Sequence, residues 1–158
     1  MSIGRFYAMI GALIRHSVSG KYLILRRSAE KDVGAGQWEC VTGRVDQGES
    51  FPEALHREVK EELGIEVRAE FFLRTEHFYR GEAIPENEMV GVMYYCSLDN
   101  PEAIQISWEH EEARWVTPEE AAAFLPNDHW LIALIERAET MRALMPDALL
   151  SYFQSVKL

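Results

Sequence analysis

The stretch GRVDQGESFPEALHREVKEELGI, residues 43–65, sets Glu58, Glu61 and Glu62 within little more than one helical turn. At about 100° per residue, Leu55, Val59 and Leu63 make a narrow apolar stripe able to face a core, and the three glutamates fall on its flank within an arc of about 100°. Glu58 stands i,i+4 to Glu62 and i,i+3 to Glu61, so each pair of like charges costs about 0.2–0.5 kcal/mol. The cluster also lies toward the helix C-terminus, the end that disfavours negative charge. Helix stability does not account for this placement, whereas a hard divalent cation does. Mg²⁺ prefers oxygen ligands, takes a few carboxylates, and completes its octahedron with waters or phosphate oxygens. Three carboxylates on one edge of a core-anchored helix make half of such a site; the plain alternative is a solvated acidic face. Arg57 lies within about 40° of Glu61 and can orient it as an i,i+4 partner.

Further reactive residues lie outside this helix. SWEHEEARWV sets Glu109, Glu111 and Glu112 just before an apolar run. His110 reads as a structural hydrogen-bonding residue. Trp38, Phe78 and Tyr79 could stack on a base, and Arg26, Arg27 and Arg80 could pair with phosphates. Packing or surface charge is the alternative for each of these six. Trp108, Trp115 and Trp130 read as core or core-edge residues.

These groups need a scaffold, and the chain supplies one of α/β type. RFYAMIGALI and KYLILRR are β-rich runs joined by a turn through Ser19 and Gly20. SAEKDVGAGQ is a polar loop, and WECVTG a short strand. The helix over 51–63 has Ser50 as N-cap, Pro52 in its first turn and Gly64 as its stop. IEVRAEFFLRTEHFYR and EMVGVMYYCSL read as long strands, and ARWV as a short one. Thr117, Pro118 and Glu120 form a capping box ahead of a helix, and DHWLIALIERAETMRALM is the last major helix. The expectation is one domain over 1–145, with 146–158 a tail that forms a short packed helix.

Composition narrows the function. The 158 residues are 47% hydrophobic and 27% charged, the balance of a globular protein, and the formal net charge is -10. That acidity argues against nucleic acid as a partner, which requires clustered Lys and Arg, but not against a small anion escorted by a metal. Cys40 and Cys96 lie in apolar, strand-like runs and suit buried, reduced thiols. No CxxC occurs, and no window approaches the ~18 uncharged apolar residues of a membrane span. The N-terminal stretch has no basic segment leading into an apolar run with a cleavage site, so a cytoplasmic location and no membrane partner are expected.

Gly43, Glu49, Arg57, Glu58, Val59, Glu61, Glu62, Gly64 and Ile65 match, at fixed spacing, the box of the Nudix family: Gly, five residues, Glu, seven residues, then Arg-Glu-apolar-x-Glu-Glu-x-Gly-apolar. The chain resembles a Nudix hydrolase of MutT-like type. That resemblance implies an α/β/α sandwich with a mixed sheet and hydrolysis of a nucleoside diphosphate linked to another group, with Mg²⁺ or Mn²⁺ as cofactor. It implies Glu58 and Glu62 as direct metal ligands, Glu61 as a third or water-mediated one, and an approach by the Gly43 carbonyl. Glu49 and Arg57 would orient this cluster. The resemblance gives the role of base to a loop glutamate outside the box or to a box glutamate such as Glu61; the Glu-His-x-Glu-x-Arg-Trp pattern resembles a stretch of many family members and makes Glu112 the first choice. Arg27, Trp38, Tyr79 and Arg80 are the substrate-binding candidates.

Many Nudix chains carry Pro-Gly-Gly before the box; here Val41-Thr42-Gly43 stands there. VTGRVDQGES and EHEEARW are most similar to enzymes hydrolysing dihydroneopterin triphosphate and similar nucleoside triphosphates. Two other readings compete. One is a nucleotide sensor of the same fold that binds without cleaving. The other is an isopentenyl diphosphate isomerase, which needs a proton-donating cysteine that neither Cys40 nor Cys96 resembles. The partner is a small nucleotide, and the long strand over 88–98 could support a homodimer.

Overall fold

Strand β1 (Tyr7–His16) is the axis of the molecule. Its side chains alternate between two apolar clusters. Ile10, Ala12 and Ile14 join Leu55, Val59 and Leu63 on one face, while Met9 and Leu13 join Leu131, Leu134 and Ile135 on the other. A strand with a period of two and both faces apolar must be covered on both sides. In this computed structural model, which describes residues 5–156, it is. The first four residues of the expected 1–145 domain and the last two of the expected 146–158 tail lie outside the described residues.

The sheet contains β2 (Tyr22–Arg27), β3 (Trp38–Glu39), β4 (Val41–Arg44), β5 (Arg68–Tyr79), β6 (Glu88–Leu98) and β7 (His110–Val116). Its seven strands run in the order β3-β2-β1-β6-β5, with β4 added to β1 and β7 to β2. β1 and β6 are parallel and the other pairs antiparallel, so the sheet is mixed. Helix α1 (Phe51–Leu63) covers one face. α2 (Pro118–Phe124) and α3 (Trp130–Leu144) cover the other, where α4 (Asp147–Ser155) adds Leu150 and Phe153. The architecture is the expected α/β/α sandwich in a single domain. Among the described residues no helix is long and apolar enough to cross a membrane.

Local chemistry sets the helix ends. The Ser50 side chain accepts the Glu53 N–H, and the Glu53 carboxylate accepts the Ser50 N–H at 2.8 Å, a closed capping box. Gly64 adopts φ 69° and donates its N–H to the Lys60 carbonyl, a left-handed stop open to glycine without strain. Thr117 and Glu120 form the second box at the start of α2.

Two elements differ from the sequence reading. WECVTG is two strands, because the chain changes partners at Cys40. Glu39 pairs with Leu25 of β2, whereas Val41 through Arg44 pair with Ala12 through Met9 of β1. β1 and β2 are matched to each other at Arg15 and Tyr22, and the 38–44 segment wedges between them farther along. The sheet forks there. β7 begins at His110 rather than at Ala113, because cross-strand ion pairs of Arg26 with Glu111 and Glu112 accommodate charges that hide its period.

Leu55 anchors α1 with no exposed surface. Leu55→Ala is expected to lower the unfolding free energy by about 2–5 kcal/mol. The check is urea denaturation, read as a lower midpoint at an unchanged slope.

Candidate active site

Arg57 organises the box from the middle of α1. Its Nε and Nη2 donate to the two oxygens of Glu49 at 2.9 Å each, and Nη2 also reaches the Arg44 carbonyl at 2.8 Å. Nη1 donates to Glu58 at 2.8 Å and to Glu61 at 3.3 Å. A planar guanidinium suits such a fork, and a lysine does not. Hydrogen bonds from Arg57, with help from the Asp46 N–H, hold the Glu49 carboxyl down at about 2. A depressed carboxyl stabilises the fold above the ordinary carboxylate range, and that contribution is lost as pH falls toward 2.

Gly43 lies on β4 opposite Ile10, under the side chain of Glu58. A Cβ at this position would fall 1.9 Å from the Glu58 carboxyl carbon. Glycine is therefore required by the approach of a carboxylate to the strand backbone, a reason independent of turn geometry.

Glu62 is 3% exposed, and its Oε2 has no hydrogen-bond partner. Burial pushes its carboxyl well above the usual range, and the charges of Glu39, Glu58 and Glu109 push it further. Glu58 is raised as well, chiefly by burial, in spite of Arg57. Beside Glu62, His110 presents Nδ1 at 3.8 Å, also unpartnered, and its Nε2 lies 3.0 Å from Glu39. Glu39 in turn accepts from Arg27 Nη1 at 2.7 Å. In a neutral imidazole whose Nε2 donates to Glu39, Nδ1 is an acceptor facing the Glu62 acceptor. A cation between the carboxylates would relieve both surpluses.

The donors are carboxylate oxygens, which fit Mg²⁺ or Mn²⁺ and not a thiol-seeking metal. Among the described residues no three His, Cys, Asp or Glu side chains close into a ready-made cage. Mg²⁺ does not demand one, since it keeps waters and substrate oxygens as ligands. Glu58 and Glu62 offer the buried oxygens; Glu61 is 59% exposed on its side chain and turned to Arg57.

The remaining candidates divide by face. Ile24 belongs to the α3-side cluster and Leu25 to the α1-side cluster, so alternation puts Arg26 on the α3 face. Glu112 is paired across from Arg26 and accepts from Arg114 Nε at 2.5 Å. It thus stands on the sheet face opposite the buried carboxylates. Glu109 is the loop carboxylate whose charge reaches both Glu58 and Glu62. Trp38 also lies on the α3 face, edge-on to Phe124 at 5.1 Å, with the Arg114 guanidinium 5.3 Å from one ring and 4.5 Å from the other. The Arg27 guanidinium is committed to Glu39 and the Val33 carbonyl. Phe78 and Tyr79 end the edge strand β5 and Arg80 follows it, three strands from β4 and so about 14 Å away by strand spacing.

Trp108 was expected at the core or its edge, but it is 68% exposed, and Trp130 is 36% exposed at the start of α3. Trp115 packs against the α1-side cluster as expected. Sequence reasoning missed Glu39 and Lys31. A charged Glu39 between Trp38 and Cys40 in an apolar run was a usable signal. Lys31, in a polar loop, gave none.

The NUDIX domain family model matches residues 8–137. Nucleoside triphosphatase NudI of Escherichia coli O139:H28 is 33% identical over 109 residues, which cover 64% of this chain and 76% of that protein. The crystal structure of a MutT protein from Methanosarcina mazei Go1 matches with a TM-score of 0.72 at 27% identity, over 89% of this chain and 99% of that one. E. coli dihydroneopterin triphosphate pyrophosphohydrolase matches with a TM-score of 0.65 at 25% identity, over 84% and 97%.

A carboxyl whose folded pKa is raised binds its proton more tightly in the folded state, so its ionisation at neutral pH costs stability that returns as pH falls through that pKa. Glu62→Gln is therefore expected to unfold at higher urea than the parent at pH 7.5 in EDTA, and the gap should narrow as pH falls. A variant less stable than the parent at neutral pH would contradict this. Gly43→Ala is expected to displace Glu58 and weaken Mn²⁺ binding in calorimetry by at least about tenfold, with unchanged far-UV circular dichroism.

Proposed function

The chain belongs to the Nudix family, and on that footing we propose that it is a Mg²⁺-dependent pyrophosphohydrolase of nucleoside triphosphates or other nucleoside diphosphate derivatives. It is a hydrolase acting on pyrophosphate bonds; the cation and the triphosphate are the proposed refinements. The observation that supports the cation is the Glu62 oxygen, buried without a hydrogen bond amid the charges of Glu39, Glu58 and Glu109. Glu58 and Glu62 would hold Mg²⁺, with Mn²⁺ as substitute, Glu61 would complete the acidic edge, and the Gly43 carbonyl would lie alongside. Bound there, the cation would neutralise diphosphate charge and acidify water.

The protein's own groups do the rest. Arg57 and Glu49 keep the box loop and the carboxylates in one arrangement, so little reorganisation is needed when charge develops. Water adds to phosphorus, the bridging P–O bond breaks, and the leaving pyrophosphate or nucleotide takes the electron pair. The water's proton passes to a carboxylate, and here the geometry favours Glu109 over Glu112. Glu109 acts on Glu58 and Glu62, whereas Glu112 is engaged with Arg26 and Arg114 on the other face. Similarity to a nucleoside triphosphatase and to a dihydroneopterin triphosphate pyrophosphohydrolase supports the triphosphate class.

The sensor reading has against it the full set of Glu58, Glu61 and Glu62, which binding alone would not need. The isomerase reading has against it that Cys40 and Cys96 are buried with their thiols pushed up, unsuited to donating protons in a pocket. Those thiols support a reducing, cytoplasmic setting. Net charge supports a small nucleotide rather than nucleic acid as partner. The 88–98 strand does not support a homodimer as expected, because β6 is paired on both sides by β1 and β5; the support for one is the edge strand β5 with Phe72 exposed, and sedimentation at the mass of one chain would remove it.

The test is pyrophosphate and phosphate release from canonical, oxidised and pterin triphosphates, with ADP-ribose and dinucleoside polyphosphates for contrast. Turnover is expected with Mg²⁺ and not with EDTA. Glu62→Gln is expected to lose at least about 100-fold in kcat/KM, and Glu109→Gln about 10²–10⁴-fold in kcat. Glu112→Gln should stay within a fewfold. An inactive Glu112→Gln beside an active Glu109→Gln would reverse the choice of base. A nucleotide bound tightly and left intact would favour the sensor.

A further inference from the structure

Lys31 stands in the 28–37 loop between β2 and β3, ion-paired to Glu109 and with its ammonium 4.7 Å from the ring of Trp108. Of the charges that act most on Glu62, Lys31 alone favours the ionised form. The Ser28 N–H donates to the Glu109 carbonyl at 2.8 Å, which ties the base of the loop to the segment bearing the carboxylate. Beyond Lys31 the loop turns through Gly34 and Gly36 at φ 72° and 73°. Trp108 extends into solvent and offers its face to the ammonium, which an exposed indole can do at little cost. A lysine is a mobile point charge on a four-carbon stem, with donors that reorient freely. Neither the metal-ligand set nor the choice of base accounts for a cation at this place.

We propose that Lys31 is a substrate-binding residue held in reserve: in the free enzyme it serves as counter-ion to Glu109, and on loading it exchanges that carboxylate for a phosphoryl oxygen of the nucleotide. The inference rests on the pyrophosphohydrolase reading and assigns a role within it. A divalent charge arriving beside Glu58 and Glu62 repels the ammonium and takes over the neutralisation that Lys31 had supplied. A polyphosphate arriving with it brings anionic oxygens for the ammonium to accept instead. The exchange breaks one ion pair and forms another, and it leaves Glu109 unpaired at the moment when water must lose a proton. Substrate loading and release of the base are thus one event.

Opposite signs in two measurements test this. Lys31→Met removes an internal competitor, so Mn²⁺ should bind the nucleotide-free protein about two- to fivefold more tightly in calorimetry. The same variant should show a KM for the triphosphate about tenfold higher, with kcat at saturation within about threefold of the parent. Lys31→Arg, which keeps the charge, should recover most of the KM. Adding Mg²⁺ with a methylene-bridged, non-cleavable triphosphate should change indole emission more in the parent than in Trp108→Phe, and that difference should vanish in the Lys31→Met background. Unchanged Mn²⁺ affinity together with unchanged KM overturns the proposal. So does a loss of Mn²⁺ affinity with a lower Tm, which is the behaviour of a structural strut. If the parent neither binds Mn²⁺ nor hydrolyses any triphosphate, the pyrophosphohydrolase reading has failed; if the parent does both and Lys31→Met matches it, only the inference has.

Discussion

One guanidinium holds the functional end of this molecule together. Arg57 binds both oxygens of Glu49, the carbonyl of Arg44 and the carboxylates of Glu58 and Glu61. It therefore joins the end of β4, the loop after it and the exposed edge of α1. Without that positive charge the glutamates would repel one another along the helix, and the loop would have no fixed relation to it. The apolar stripe of Leu55, Val59 and Leu63 fixes how deep α1 sits, and Arg57 fixes what its flank presents.

The second organising fact is a deficit. Glu62 is buried where water cannot solvate it and where most neighbouring charge is of its own sign. Such an arrangement costs folding free energy and persists when something outside the chain completes it. Arg27, Glu39 and His110 form a line of support behind Glu62, yet they stop short of satisfying Oε2, the oxygen that His110 faces from 3.8 Å.

Much of this was legible in the sequence wherever local rules decide. The box helix begins after Ser50 and ends at Gly64 because capping and left-handed stops act over four residues, and β6 spans the 88–98 run because its apolar period is uninterrupted. What escaped depends on long-range pairing. The switch of the 38–44 segment from β2 to β1 leaves no mark in a six-residue string. The side of the sheet taken by Glu112 follows from its register with Arg26, across more than eighty residues of chain, and a bulge at that point shifts the phase between Glu112 and His110. Trp108 shows the limit of composition, since a large aromatic residue is a core residue only if something covers it.

The alternation of β3 has a consequence for how such a protein can change. Trp38 and Glu39 are covalent neighbours, but one faces Phe124 and Arg114 while the other faces Arg27 and His110 on the far side of the sheet. The backbone insulates them, so the wall on the α2 side can be recut without touching the support behind Glu62. A lineage, or a directed library confined to residues 38, 114 and 124, can therefore vary that wall while Arg27, Glu39 and His110 keep their contacts. Two covalent neighbours thus answer to separate constraints, divided by the thickness of one strand.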